Sequence, residues 1–367
     1  MPPETPMKYT RIVPLTSIRF FAAMLVVIYH YGRSVWPFDE GFLHTVTQCA
    51  ASGVAFFFFL SGFILAHVYH QAQWAECGVL KRYFISRLAR IYPIYVVALI
   101  TQYLINLKHI YVDRLSIVDS LVGLQVHVFM LQAWLPSQVS QLNIPGWSLS
   151  VEVSFYLLFP LIIQRVMAMK QSSVIPAFVI LFFSSQGVLL LMRTVIWADW
   201  FNASPTIHNF ILYYPPLYFS LFILGVLAFR TVHARLQQGE SNPRLMALLS
   251  IIAVLGIVVS SYWADSKMAY GIHVGMLAPL YGVLLYSLCD PFNNVARMLS
   301  SRILEELGEA SYSIYILQMP VYHLMLRFVP IQTPWLAFYL YVVVLIGTSY
   351  ALYRWYESPI RAIARKR

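Results

Sequence analysis

Three groups of ionisable residues stand in stretches that otherwise lack charge. Arg19 and His30 lie in one apolar segment, eleven positions apart. On a helix that is about three turns, which puts both on nearly one face and about 16 Å apart along the axis. Glu152, in Trp147-Ser-Leu-Ser-Val-Glu152, is the sole Asp, Glu, Lys or Arg between Asp119 and Arg165. Arg87 and Arg90, three apart in Lys81-Arg82-Tyr-Phe-Ile-Ser-Arg87-Leu-Ala-Arg90, point to one side of a helix. A histidine oriented and charge-stabilised by a carboxylate is a general base, and a His30–Glu152 dyad would be one. A pair of guanidinium groups is a clamp for a phosphorylated ligand. Each group also has an ordinary reading. Arg19 can snorkel to the interface and His30 can make a bundle hydrogen bond. Glu152 can anchor a neighbouring helix, and Arg87 with Arg90 can set topology or bind lipid headgroups. Taken alone, the Arg19–His30 pair and the Arg87–Arg90 pair favour the ordinary readings.

These charges are unusual because the elements that carry them belong in lipid. Of 367 residues, 59% are hydrophobic and 11% charged, with a mean hydropathy of +0.67. A soluble domain is about 25% charged. The stretches 50–73, 245–264, 268–289 and 328–353 contain no Asp, Glu, Lys or Arg, and roughly 20 apolar residues make one spanning helix. An all-α integral membrane protein follows. The net charge of +10 (25 − 15) reflects cytoplasmic loops rather than a nucleic-acid partner. Cys49, Cys77 and Cys289 are odd in number and far apart, which fits neither a disulfide framework nor a zinc site, so no metal is expected. The first apolar segment carries an arginine and no small-residue cleavage site precedes it, so no cleavable leader is expected.

Eleven segments reach spanning length: 16–35, 47–70, 84–106, 118–135, 146–167, 173–195, 209–229, 244–264, 269–289, 310–328 and 333–355. Lys8 and Arg11 put the N-terminus inside, as do Lys81, Arg82, Arg87 and Arg90 after two crossings. Read backward, Arg361, Arg365, Lys366 and Arg367 are internal, with Arg297 and Arg302, with Arg230, His233 and Arg235, and with Arg165 and Lys170. Both sets agree only if one segment between 91 and 164 fails to cross. The weakest is 118–135, which opens on Asp119 and carries Gln125, His127 and Gln132. The expectation is a bundle of about ten transmembrane helices with both termini cytoplasmic and 118–135 re-entrant or interfacial. Trp134, Trp147, Trp197 and Trp200 fall near the outer face. They could stack on a sugar, but interfacial anchoring explains most of them better.

Six elements recur in an order that resembles the acyltransferase-3 family of membrane O-acyltransferases. Leu15-Thr-Ser-Ile-Arg19 through His30 resembles its Arg-x10-His helix, and Gly53 to Ser61-Gly62-Phe63 its Ser-Gly-Phe element. Arg87-Leu-Ala-Arg90-Ile-Tyr-Pro93 is similar to its Arg-x-x-Arg segment. Trp147-Ser-Leu-Ser150-Val-Glu152 followed by Phe155-Tyr156 is close to its most distinctive motif. Leu307-Gly308-Glu-Ala-Ser311-Tyr312-Ser-Ile-Tyr315 and Tyr353-Arg354-Trp-Tyr-Glu357-Ser-Pro359 resemble its last two helices.

The resemblance implies transfer of an acyl group, often acetyl, from cytoplasmic acyl-CoA to a hydroxyl of a cell-surface or lipid-linked glycan, in the cytoplasmic (inner) membrane. It implies His30 as catalytic histidine, with Glu152 beside it, and Arg19, Arg87 and Arg90 near the CoA phosphates. Ser148 and Ser150 become candidate donors to the reacting carbonyl, or helix-start residues that satisfy free amides. Trp147 and Ser61 join them as candidate substrate contacts. His30 would deprotonate the acceptor hydroxyl or carry the acyl group transiently. The implied partners are the bilayer, acyl-CoA, the glycan acceptor and polysaccharide assembly proteins. Two positions depart from the pattern. Ala55 stands where many members carry a polar or acidic residue, and Gln318 where histidine is common, so neither has a part in acid–base chemistry. The chain is read as a single transmembrane acyltransferase domain, 1–367, with no appended soluble domain. The competing class is a transporter or flippase for a lipid-linked sugar, which buried Arg, His and Glu also fit. No internal repeat of the kind many transporters show is apparent. A third reading is a scaffold subunit, which would tolerate loss of His30.

Overall fold

The computed structural model describes residues 11–112, 117–197, 205–239, 241–264, 271–329 and 332–365. Among the described residues all regular structure is helical. The order is α1 (Val13–Tyr31), α2 (Gly41–Thr47), α3 (Ser52–Tyr69), α4 (Val79–Val112), α5 (Ile117–Val128), α6 (Trp147–Ala168), α7 (Gln171–Trp197), α8 (Pro205–Tyr213) and α9 (Phe219–Gln238). It continues with α10 (Pro243–Tyr262), α11 (Ala278–Leu288), α12 (Asn294–Leu299), α13 (Arg302–Phe328), α14 (Pro334–Leu352) and α15 (Ser358–Arg365). Eight helical stretches are long and apolar enough to cross a membrane by length and composition.

The expected spans 269–289 and 310–328 correspond to α11, preceded by helical residues 271–273 and turns over 274–277, and to α13. α13 is long enough to cross but more polar than its neighbours. It is packed among other helices, and its Ser311, Ser313 and Gln318 are buried in the protein rather than facing lipid. Segment 118–135 forms no spanning helix. α5 has 12 residues, about 18 Å of helix against a hydrocarbon core of about 30 Å. Segment 209–229 is interrupted at Tyr214, and the crossing shifts to Pro215–Gln238. Pro215 and Pro216 cause the break, because neither offers an N–H to continue α8 and Pro215 pushes Tyr214 out of the helical region.

Two backbone-to-backbone contacts set the centre of the bundle. A Cβ on Gly62 of α3 would lie 2.0 Å from the Phe222 carbonyl oxygen, and one on Gly225 of α9 would lie 2.0 Å from that of Phe59. A Cβ on Gly308 of α13 would meet the Thr16 carbonyl oxygen of α1 at 2.1 Å. Small residues let helices approach this closely in lipid. The ends of the chain meet on one face. Arg11 bonds Glu305 at 2.8 Å and also Glu309, while Arg361 bonds Glu309 at 3.0 Å and Glu357 at 3.3 Å. This terminal face also carries the end of α3 and the end of α9, where His70 and His233 have ring centroids 4.6 Å apart. Lys8, Trp200, Lys366 and Arg367 lie outside the described residues, as does the side chain of Trp197.

Candidate functional site

α1, α3, α4, α6 and α13 each contribute one stripe to a cavity of 710 Å³. α1 supplies Leu15 and Arg19, and α4 supplies Arg87 and Arg90. α6 supplies Ser148, Glu152 and Tyr156, and α13 supplies Glu309, Tyr312 and Tyr315. These offsets of three and four bring side chains to one helix face. On α3 the lining runs from Val54 to Tyr69, about 22 Å of helix. The cavity therefore starts at the terminal face, beside Arg11 and Arg361, and penetrates most of the bundle.

Its charge is unbalanced. Arg11, Arg19, Arg87, Arg90 and Arg361 line it against Glu152 and Glu309, an excess of 5 − 2 = 3 positive charges. Glu309 is taken up by Arg11 and Arg361. Glu152 accepts hydrogen bonds from Ser61 at 3.2 Å and Tyr156 at 2.6 Å. Among the described residues, Arg19, Arg87 and Arg90 form no ion pair. Arg87 bonds Ser86 at 3.1 Å and lies over the Tyr69 ring at 5.4 Å, and its Nε is buried without a partner. Cations held in a span without a directly paired carboxylate are expensive. The arrangement fits a polyanion, and the forked donors of guanidinium match phosphate oxygens.

The sequence candidates divide between this cavity and the opposite end of the bundle. Arg19, Ser61, Arg87, Arg90, Ser148 and Glu152 all line the cavity, whereas His30, Trp147 and Ser150 do not. His30, in the last turn of α1, is exposed and has ring contacts with Tyr29 at 5.1 Å and Tyr31 at 6.0 Å. No hydrogen bond joins it to Glu152, whose bonds go to the hydroxyls of Ser61 and Tyr156. Glu152 lies about 7.5 Å along α6 from Trp147. Trp147 is 5% exposed, enclosed by Phe58 at 5.7 Å, Tyr213 at 5.0 Å and Tyr218 at 5.3 Å. The Ser148 hydroxyl donates to the Pro145 carbonyl at 3.1 Å, which the Tyr315 hydroxyl also reaches at 3.2 Å. Ser150 accepts from the Ala133 amide at 3.3 Å. Ser148 thus closes the turn that opens α6, and Ser150 ties the turn at Ala133 to α6. Trp134 donates to Ser154 at 3.2 Å.

Between the two ends stand Phe57, Phe58 and Tyr315. Phe57 and Phe58 line the cavity, and Phe57 packs on Tyr315 at 6.1 Å. Phe58 packs on Trp147 and, at 5.0 Å, on Tyr218. Sequence reasoning gave no role to Glu309, Tyr312, Tyr315 or Arg361 in the cavity. The spacing of Glu309, Tyr312 and Tyr315, three apart each time, was a usable signal for a shared face. Among the described residues no group of three or more His, Cys, Asp or Glu is placed to hold a metal ion.

The acyltransferase-3 family model, described as an acyltransferase domain, matches residues 15–354. An acyltransferase of Streptomyces mycarofaciens, MdmB, is 32% identical over 166 residues, covering 42% of this chain and 40% of that protein. A putative acetyltransferase of Acidianus two-tailed virus is 25% identical over 310 residues, covering 82% of this chain and 81% of that protein. The O-acetyltransferase OatA of Staphylococcus aureus (strain NCTC 8325 / PS 47) is 24% identical over 378 residues, covering 95% of this chain. The chain spans 57% of the length of OatA. No solved structure matches the chain.

Proposed function

The chain belongs to the acyltransferase-3 family, and from that premise we propose that it moves an acyl group, in the first instance acetyl, from acyl-CoA to a hydroxyl of a cell-surface or lipid-linked glycan. The observation that carries this reading is the set of three arginines, Arg19, Arg87 and Arg90, that line a deep cavity without carboxylate partners. A nucleotide-linked thioester supplies what they lack: phosphates for the guanidiniums near the terminal face and a narrow arm for the rest. The terminal face is cytoplasmic in this reading, because Lys81, Arg82, Arg230 and Arg235 gather on it.

The acyl carbonyl then lies toward Ser148 and Tyr315, and His30 acts from the acceptor side. His30 takes the proton of the acceptor hydroxyl as its oxygen attacks the thioester carbonyl carbon. The C–S bond breaks, and the thiolate leaves with the proton returned by His30. The products are an acyl ester and free CoA thiol. Glu152 holds the Ser61 and Tyr156 hydroxyls in place and offsets part of the positive charge around Arg90. This work differs from orienting His30.

The test is turnover of radiolabelled acetyl-CoA by detergent-solubilised protein. Wild type should release CoA thiol slowly without acceptor and faster with a glycan. His30→Ala should retain acetyl-CoA binding and lose transfer by at least about a hundredfold. Full transfer by His30→Ala would remove the histidine from the mechanism. A wild type that never releases CoA thiol would favour transport of a lipid-linked sugar instead.

A further inference from the structure

The stripe that α3 turns to the cavity ends on an aromatic ring. Phe57, Ser61 and Ile64 are half-buried while every residue between them is buried, and all three line the cavity. Spaced four and then three apart, they form one helix face. Arg19 and Glu152 are likewise half-buried where they line it. Further from the terminal face the lining passes to Val54, Ser148, Leu149 and Tyr315, each no more than 6% exposed. The cavity is therefore open at the level of Ser61 and closes at the level of Phe57.

The closed end is an aromatic wall whose parts are not equally fixed. Phe58 is held by ring contacts with Trp147 at 5.7 Å, Phe155 at 5.2 Å and Tyr218 at 5.0 Å. The Tyr315 hydroxyl donates to the Pro145 carbonyl at 3.2 Å. One turn beyond Phe57, a Cβ on Gly53 would lie 2.7 Å from the Ala22 carbonyl oxygen, so α1 and α3 meet backbone to backbone there. Phe57 has ring contacts with Tyr315 at 6.1 Å and Phe56 at 6.5 Å. Of Phe57, Phe58 and Tyr315, it alone keeps a half-buried face.

The depth of this wall matches a short thioester. Arg87 lies over the Tyr69 ring, and from Tyr69 to Phe57 is about 18 Å along α3. The arm of CoA between diphosphate and sulfur has about as many chain bonds as four residues. It therefore extends about 14 Å, and an acetyl group adds about 3 Å. A diphosphate held at Arg87 brings the acetyl methyl up to Phe57, whereas a butyryl chain, about 2.5 Å longer, runs into the ring.

Resting on the acyltransferase reading above, we propose that Phe57 sets the length of the acyl group that the cavity accepts. Its ring ends the acyl-binding part of the cavity and restricts the donor to acetyl-CoA and thioesters of similar length. A longer chain must displace the ring or draw its phosphates away from the arginines. A mismatch of one methylene in an apolar pocket is worth about ten- to two-hundredfold.

The experiment measures equilibrium binding of acetyl-CoA, butyryl-CoA and free CoA to wild type, Phe57→Ala and Phe57→Leu in detergent. Wild type should prefer acetyl-CoA to butyryl-CoA by at least about tenfold. Phe57→Ala should abolish or reverse that preference, and Phe57→Leu should shift it the same way by less. Affinity for free CoA, which has no acyl group to meet the wall, should stay within about twofold and so reports that each variant is folded. If Phe57→Ala does not fold, Phe57→Leu decides. The control is Phe56→Leu, on the same helix but packed on Tyr281 at 5.3 Å, which should leave the preference unchanged. Equal affinity of wild type for the two thioesters, an unchanged preference in Phe57→Leu, or an equal shift in Phe56→Leu would each overturn the proposal. In all of those results CoA still binds, whereas a wild type without affinity for CoA or its thioesters would sink the acyltransferase reading itself.

Discussion

Arg19, Arg87 and Arg90 differ from Arg11 and Arg361 in one respect that decides what their loss does. The latter pair share the buried Glu309, so removing that carboxylate leaves Arg11 with Glu305 alone and the largely buried Arg361 with Glu357 alone. Glu309→Gln should therefore lower stability by about 1.5–3 kcal/mol, read as a fall in the thermal midpoint of the detergent-solubilised protein. Arg90→Gln removes a cation that no carboxylate pairs, and its thermal midpoint should stay level or rise, with ligand binding lost. An equal fall in both variants would mean that Arg90 has a structural partner. Arg19, Arg87, Arg90 and Glu152 could be singled out in the sequence because charge is rare in their segments. The partners of Glu152 could not. Helical periodicity gives a residue's face and depth, but not which neighbouring helix that face meets. Glu309 and Arg361 were hidden for a different reason. They lie near charged helix ends, where an ionisable residue is ordinary.

At the scale of elements, the site depends on how closely α3, α9, α1 and α13 approach. Gly225→Ala would drive a methyl group into the Phe59 carbonyl of α3, and backbone cannot yield as a flexible side chain can. Folded yield should collapse, while Gly347→Ala on α14, with nothing within 4 Å of the added carbon, should leave yield unchanged or slightly raised. Size-exclusion profiles after solubilisation would show it, and a monodisperse Gly225→Ala would refute the close packing of α3 on α9. Most spans were legible because an apolar run of spanning length has few other uses. α13 was legible only from residue 310, since its first turns carry Arg302, Glu305 and Glu306 and are exposed or half-buried, so they lack the apolar run that marks a span. Pro215 and Pro216 stand inside the segment 209–229 that reads as one span, so the break itself was marked in the sequence by residues that lack an N–H. Its consequence, a carbonyl handed to Tyr218 and His273, depends on a segment more than fifty residues away and has no local signature.

For the whole molecule, the meeting of Arg11, Glu309 and Arg361 puts both described ends on one face, and α5 is too short to cross. The charge pattern anticipated that arrangement, because an odd number of crossings could not reconcile the two ends. Cys77 gives a native probe, being exposed in the turn between α3 and α4. If the terminal face is cytoplasmic, a membrane-impermeant maleimide should label Cys77 only after the cells are permeabilised. Ser34→Cys in a Cys77→Ser background should label in intact cells. Labelling of Cys77 in intact cells would invert the topology and place the arginine cavity away from cytoplasmic CoA.

The central claim is that the arginine-lined cavity holds the phosphates of acyl-CoA. Equilibrium binding of acetyl-CoA and of S-acetylpantetheine, which has the same arm and thioester without phosphate, tests it most directly on wild type and Arg90→Ala. Wild type should prefer acetyl-CoA by at least about a hundredfold, and Arg90→Ala should remove about ten- to hundredfold of that preference with little change for S-acetylpantetheine. Equal affinity of wild type for the two ligands, or an unchanged preference in Arg90→Ala, would contradict the assignment of the cavity.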